Sequence, residues 1–231
     1  LFFTEFWERF SYYGMRALLV FYLIDTVKRG GLGFDEATGA SIMSIYGSLV
    51  YMSSVIGGFI ADRLLGSRRT VFWGGVLIMI GHIVLSLPFG QGALYGSIAL
   101  IVLGTGLLKP NVSEMVGTLY TEDDVRRDSG FTIFVMGINA GSLLAPYVVG
   151  SIGQQVNYHL GFSLAAIGMF FGLIQYWRGG KNLNESSNRP GDPVSEDEKA
   201  GLIRKIVAIV VAAIVVFGLM AFAGKLNVTN V

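Results

Sequence analysis

The sequence predicts an all-α membrane protein. Only 14% of its 231 residues are charged and 52% are hydrophobic, whereas a soluble domain usually carries about 25% charged residues. Residues 71–108 and 129–177 contain no Lys, Arg, Asp or Glu, and a helix needs only about 20 apolar residues to cross a bilayer. These segments do not alternate between apolar and polar residues as barrel strands do, so helices are the expected elements.

The apolar segments and the polar residues that divide them predict six transmembrane helices followed by a seventh. Polar stretches at 88–92 and 154–158 each divide a long segment into two spans. The segments, in chain order, are about 3–24, 39–61, 71–108, 129–177 and 206–224.

Three regions follow from this order of helices. Residues 1–177 are predicted to form a six-helix bundle. Residues 178–200 contain two prolines and clustered acidic residues, which are typical of a solvated connector. Residues 201–231 are predicted to hold an additional transmembrane helix. The chain starts without Met and stops just past a hydrophobic stretch, so we expect it to be about half of a larger protein.

The basic residues predict the orientation of the bundle. When successive loops are assigned to alternate sides, only Lys28 and Arg29 fall on one side. The nine on the opposite side are Arg63, Arg68, Arg69, Arg126, Arg127, Arg178, Lys181, Arg189 and Lys199. Because cytoplasmic loops are enriched in Lys and Arg, we expect a multi-pass protein of the cell membrane with a cytoplasmic N-terminus.

Composition and motifs exclude several functional classes. A net charge of +1 provides no broad basic surface for nucleic acid. The sequence has no cysteine, no cluster with metal-ligand spacing, no nucleophilic triad and no phosphate-binding loop. We therefore expect neither an enzyme nor a bound cofactor, and transport would draw its energy from an ion gradient.

The first predicted helix carries an unusual number of charged side chains. At about 100° per residue, its charged side chains and the two tyrosines between them share one sector of roughly 140°. These side chains are Glu5, Glu8, Arg9, Tyr12, Tyr13 and Arg16. A helix-terminal ion pair between Glu5 and Arg9 is the simpler interpretation, but it leaves Arg16 unexplained about 10 Å further along. A polar cavity or a proton relay accounts for all of them.

Four further polar residues allow two interpretations each. Lys109 precedes Pro110 within the fourth span, where it could face a cavity or extend to the membrane surface. Asn139 could contact a substrate or bond a neighbouring helix. Tyr46 and Tyr51 could each supply a cavity hydroxyl or belong to the interfacial aromatic residues.

Four motifs resemble those of one transporter family. Residues 5–14, EFWERFSYYG, are similar to the ExxERFxYYG motif of the proton-dependent oligopeptide transporters, which belong to the major facilitator superfamily. Residues 57–66 resemble the signature loop of that superfamily, residues 106–111 resemble the family's helix 4 motif, and residues 131–142 resemble its helix 5 signature. One departure is Val135, where the family commonly has tyrosine.

The resemblance implies roles for individual residues. A proton-coupling cluster would comprise Glu5, Glu8, Arg9 and Lys109. A peptide-binding group would comprise Arg16, Tyr12, Tyr13, Tyr51, Lys109 and Asn139. A conformational latch would comprise Gly58, Asp62 and Arg63, although this loop could instead only set the topology.

The resemblance also implies a function for the whole protein. The whole protein would be a proton-coupled symporter that imports di- and tripeptides by alternating access. The chain would supply the N-terminal six-helix bundle of the superfamily fold plus one inserted helix, and its partner would be a C-terminal bundle absent from the sequence. Alternatives are a transporter of the same fold for another small solute, such as nitrate, and a non-transporting membrane receptor.

Overall fold

The computed structural model describes residues 1–121, 123–195, 197–198, 200–205 and 207–208. Residues Leu1–Gly191 form one unit and Asp192–Val231 a second. In the second unit the described residues 197–198, 200–205 and 207–208 are helical. The additional helix expected within residues 201–231 lies mostly outside the described residues.

Six long helices build the first unit, and no strand occurs among the described residues. The helices are α1 (Phe2–Ile24), α2 (Glu36–Ile60), α3 (Ser67–Leu85), α4 (Gly90–Gly117), α5 (Arg127–Ala145) and α6 (Tyr158–Gly179). Two continue through a π-helical turn: α2 through Ala61–Leu65, and α5 through Pro146–Gly150 and a final turn, Ser151–Gln155. The all-helical class expected from the sequence is confirmed.

Both predicted breaks within the long apolar segments are present. Helix α3 ends at Leu85 and α4 begins at Gly90, whose φ of 58° favours glycine. The second break separates Gln155 from Tyr158, and there the side chain of Asn157 accepts a hydrogen bond from the backbone N–H of His159 at 2.7 Å. Asn157 therefore caps α6 in the way that short polar residues cap helices.

Five of the described helices are long and apolar enough to cross a membrane. They are Glu36–Leu65, Ser67–Leu85, Gly90–Gly117, Arg127–Gln155 and Tyr158–Asn182. Helix α1 is not among these five, because every stretch of 18 residues within it contains at least three charged side chains. Among the six long helices, the one with the most charged side chains is also the one packed between α5 and α6.

Glycines bring the helices into close contact. A Cβ atom at Gly74 would lie 2.7 Å from the carbonyl oxygen of Gly104, and one at Gly104 would lie 2.6 Å from that of Gly74. Helices α3 and α4 thus meet backbone to backbone, as small residues allow within membranes. Of the adjacent Gly57 and Gly58, only Gly57 lies in such a contact: a Cβ there would overlap the Gly106 carbonyl, whereas Gly58 faces open space.

A proline helps to form the contact between α2 and α4. Pro110 lies inside α4 and has no N–H to donate to the carbonyl of Gly106 one turn earlier. The backbone of Gly57 packs against this carbonyl. In return, the side-chain amide of Asn111 donates to the Gly57 carbonyl at 3.2 Å and to the Leu107 carbonyl at 2.7 Å. The turn of α4 that contains Pro110 is therefore held on α2.

Candidate functional site

The first half of α1 buries an ion cluster. Glu5, Glu8 and Arg9 are 3%, 0% and 5% exposed. Nε of Arg9 lies 3.0 Å from Oε1 of Glu5, and Arg9 also forms a salt bridge with Glu8. One guanidinium therefore contacts two carboxylates inside the bundle. We call Glu5, Glu8 and Arg9 the buried triad.

Close packing of α1 against α5 and α6 excludes solvent from the buried triad. A Cβ at Gly141 of α5 would overlap the Phe6 carbonyl and lie 3.2 Å from the Cβ of Arg9. On the other side, a Cβ at Gly168 of α6 would lie 3.3 Å from the ring of Trp7. Both neighbouring helices thus present glycine where α1 approaches them, and larger residues there would force the helices apart.

Aromatic rings extend from the buried triad along α1. The guanidinium carbon of Arg9 lies 5.3 Å from the ring centre of Tyr12, within the range of a cation–π contact. Tyr12 packs against Tyr13, with ring centres 5.1 Å apart, and against Tyr46 of α2 at 6.3 Å. The Tyr12 hydroxyl accepts a hydrogen bond from Arg16 at 3.3 Å. Tyr12 therefore contacts both arginines of α1.

Lys109 is held by an aromatic ring. Its Nζ lies 4.9 Å from the ring centre of Tyr51, which is 71% exposed. The proton-coupling cluster implied by the family resemblance includes Lys109. Among the described residues, however, Lys109 forms no salt bridge with a carboxylate. It interacts with Glu5 only through its electrostatic field. Lys109 and the buried triad are therefore neighbouring groups rather than one bonded network.

The side chains expected to bind a substrate divide into two groups. Tyr12 and Tyr13 are half-buried beside the buried triad, whereas Arg16, Tyr51 and Asn139 are exposed. The amide of Asn139 donates to the carbonyl of Val135 in its own helix at 3.0 Å. This bond reaches no neighbouring helix and does not involve the amide oxygen of Asn139, so contact with a substrate stays a prediction.

The latch expected at the end of α2 forms a π-helical turn. Asp62 is exposed and Arg63 is half-buried in this turn, and Gly66, with φ of 78°, ends it. Gly58 makes no close contact, so the tight contact with α4 depends on Gly57. The π-helical turn is therefore separate from the contact at Gly57 that holds α2 on α4.

Two buried polar residues near the site were missed as site residues. Tyr46 is 1% exposed, and its hydroxyl has no hydrogen-bond partner among the described residues. Asn111 is also 1% exposed and bonds α2. The sequence holds a signal for Asn111, because it follows Lys109 and Pro110 within a family motif. For Tyr46 the sequence left two interpretations open, and the helix packing buries it.

The charge of the buried triad determines what it can do chemically. With both carboxylates ionised and one guanidinium, its formal charge is −1. Excess charge is costly to keep away from water, and binding one proton makes the triad neutral. The buried triad therefore holds one carboxylate more than its guanidinium neutralises.

Comparisons with known proteins agree on one family. The model of the POT family (PTR2) matches residues 68–223. The di-/tripeptide transporter of Lactococcus lactis subsp. lactis (strain IL1403) is 54% identical over 233 residues, covering 100% of this chain and 47% of that protein. The di-/tripeptide transporter of Lactobacillus helveticus is 58% identical over 203 residues, covering 84% of this chain and 41% of that one.

Solved structures show the same relationship. A crystal structure of a peptide transporter POT in complex with sulfate superposes with a TM-score of 0.92 at 53% identity, covering 99% of this chain and 47% of that chain. A POT family transporter in complex with 5-aminolevulinic acid gives 0.90 at 48% identity, covering 96% and 46%. The chain thus spans about half the length of the relatives it matches.

Proposed function

The chain belongs to the POT family, and from this membership we propose that it is the N-terminal half of a proton-coupled symporter. The complete protein would import di- and tripeptides across the cell membrane by alternating access. The N-terminus would lie in the cytoplasm, since the loops on that side carry most of the basic residues. Relatives described as di-/tripeptide transporters support the choice of substrate.

The observation that carries the proposal is the charge of the buried triad. Glu5 and Glu8 share Arg9 with almost no exposure to solvent. A structural ion pair needs one carboxylate per guanidinium, whereas the second carboxylate here adds a charge that a proton can cancel. Protonation would therefore change how tightly α1 is held against its neighbours, which is what coupling to a proton gradient requires.

The residues around the buried triad suit a peptide ligand. Arg16 and Lys109 would attract the carboxylate of a peptide. Tyr12, Tyr13 and Tyr51 would provide hydroxyl groups and ring surfaces, and the side-chain carbonyl of Asn139 would accept a peptide N–H. Contacts with the peptide backbone, rather than with its side chains, would allow many sequences to bind.

A second six-helix bundle is the proposed partner within the complete protein. Helix α2 exposes several large apolar side chains along one stretch: Tyr51, Met52, Val55, Ile56 and Phe59. Exposed Tyr51 also borders Lys109. A partner bundle facing this stretch would enclose a cavity between the two bundles, and this chain would supply the wall that contains Tyr51 and Lys109.

Uptake by the full-length protein in liposomes tests the proposal. With an inward proton gradient, the wild-type protein should accumulate a labelled dipeptide. Glu8→Gln mimics the protonated carboxylate, so gradient-driven accumulation should fall roughly tenfold or more. Dipeptide-induced thermal stabilisation should persist, because the variant removes a titrating group without adding bulk. Glu36→Gln is the control, since Glu36 is an exposed carboxylate in the first turn of α2.

Two results would contradict the proposal. Normal gradient-driven accumulation by Glu8→Gln would remove the buried triad from proton coupling. Failure of every di- and tripeptide to compete with the labelled one would reject the substrate class. Competition by 5-aminolevulinic acid, found with a relative, or by nitrate would then identify a different small solute.

A further inference from the structure

A groove lies at one end of the bundle, where α3 begins and α6 ends. Its volume is about 260 Å³, and its walls include Arg68 and Arg69 from α3 and Tyr176 and Trp177 from α6. The candidate transport site draws its residues from α1, α2, α4 and α5, so neither helix of the groove contributes to it. The groove is therefore a separate feature.

The walls of the groove are held in place by close contacts. The Tyr176 hydroxyl donates to the backbone carbonyl of Arg68 at 3.0 Å, which joins α6 to α3. After α6 the chain turns at Gly180, where a Cβ would overlap the Arg68 guanidinium. Further along, Asn188 also lines the groove. It packs close to Gly66, because a Cβ added at Gly66 would lie 2.7 Å from the carbonyl carbon of Asn188. The position of Arg68 is thus fixed from two sides.

The chemistry of the groove is basic at one part and aromatic at another. Its lining among the described residues contains two guanidinium groups and no carboxylate. Arg68 and Arg69 also stand in the first turn of α3, where the helix dipole attracts anions. Guanidinium groups bind phosphate oxygens in pairs of parallel hydrogen bonds.

The aromatic walls face outward. Trp73 and Trp177 line the groove with Phe72 and are 54% and 74% exposed. Tryptophan is enriched where a membrane meets water, because its ring is apolar and its N–H needs a polar partner. Two exposed tryptophans beside two arginines therefore match the boundary between acyl chains and headgroups.

We propose that this groove binds an anionic phospholipid of the cytoplasmic leaflet. The headgroup phosphate lies on Arg68 and Arg69, and the start of an acyl chain lies along Trp73 and Trp177. Basic pockets between transmembrane helices on the cytoplasmic side recognise acidic headgroups in this way. The site uses the proposed orientation of the bundle but is independent of peptide transport.

Native mass spectrometry of the delipidated full-length protein tests the site. The protein is titrated with phosphatidylglycerol and, separately, with phosphatidylcholine of the same acyl chains. Wild type should bind phosphatidylglycerol more tightly, and Arg68→Gln/Arg69→Gln should weaken that binding roughly 30-fold, since each basic group near an anionic headgroup contributes. The matched control is Lys28→Gln/Arg29→Gln, an adjacent exposed basic pair at the opposite end of the bundle, which should leave the preference unchanged.

Additional variants keep the test valid if Arg68→Gln disturbs folding. Arg69→Gln alone removes an exposed charge and should cause part of the loss. Trp177→Ala removes an exposed ring. It should weaken the binding of both lipids to a similar extent, and by less than the double arginine variant weakens phosphatidylglycerol binding. Equal binding of the two lipids by wild type, or an unchanged preference in the double arginine variant, would overturn the proposal. Displacement of phosphatidylglycerol by millimolar inorganic phosphate would also overturn it, because the groove would then take a free anion.

Discussion

The two ends of α1 both hold carboxylates, but they hold them differently. At the start of the helix, Glu5 and Glu8 share the single guanidinium of Arg9 away from solvent. At its end, Asp25 has a partner for each oxygen. The Tyr158 hydroxyl donates to Oδ2 at 2.8 Å, and the backbone N–H of Thr26 donates to Oδ1 at 2.8 Å.

This difference separates a group that holds the fold from a group that can respond to protons. Hydrogen bonds from Tyr158 and then from Thr26 lower the pKa of Asp25 below its ordinary value. Asp25 therefore stays ionised throughout the physiological range. The buried triad has one carboxylate more than its guanidinium can neutralise, so its charge is the one that a proton can change. The two ends thus predict different responses to mutation.

The largest effect should come from removing the shared cation. Arg9→Gln leaves two buried carboxylates with no direct ion pair, and breaking a buried pair costs about 3–5 kcal/mol. We expect the purified full-length variant to unfold at a much lower temperature than wild type at neutral pH. Its stability should recover as the pH falls, because protonation of the carboxylates removes their charge. Thermal unfolding across a pH series measures both changes.

A charge-neutral variant provides the control for Arg9→Gln. Glu5→Gln/Glu8→Gln/Arg9→Gln removes all three charges and retains similar side-chain volumes, so it should recover most of the lost stability. Gradient-driven uptake should be absent in this variant, because no titrating group is left in the buried triad. A neutral triple variant as unstable as Arg9→Gln would show that shape, rather than charge, holds the first half of α1.

A smaller effect should come from the glycine that lets α5 approach the buried triad. An added methyl group at Gly141 would overlap the Phe6 carbonyl, so Gly141→Ala should destabilise the protein by about 1–3 kcal/mol. Gly150→Ala is the matched control on the extension of the same helix, since no atom lies within 4 Å of a Cβ there. Equal unfolding temperatures for the two variants would contradict the close contact between α5 and the first half of α1.

Much of the fold could be predicted from the sequence because lipid imposes simple rules. Charge-free segments of sufficient length predict membrane-spanning helices, and both polar breaks lie where the structure ends one helix and starts another. The charged sector of α1 could be predicted equally well, since helical periodicity places Glu5, Glu8 and Arg9 close together. Their direct contacts agree with that placement.

Contacts between distant residues could not be predicted in the same way. The sequence does not distinguish Gly57 from Gly58, yet only Gly57 meets the Gly106 carbonyl, because this depends on how α2 is rotated against α4. Helix rotation also decides that Lys109 lies over Tyr51. The pairing of Asp25 with Tyr158 joins residues 133 positions apart and has no local signal at all.

The smallest effect should come from that pairing. Tyr158→Phe removes one hydrogen bond to the half-buried carboxylate of Asp25, so it should lower the unfolding temperature by roughly 1–2 °C. A carboxylate with a lowered pKa stabilises the folded state above its unfolded pKa of about 4 and loses this contribution only as the pH falls through its lower folded-state value. The deficit of Tyr158→Phe should therefore be constant between about pH 5 and pH 8, unlike that of Arg9→Gln. A deficit that changes steadily within this range would mean that Asp25 also titrates there, and the contrast between the two ends of α1 would be lost.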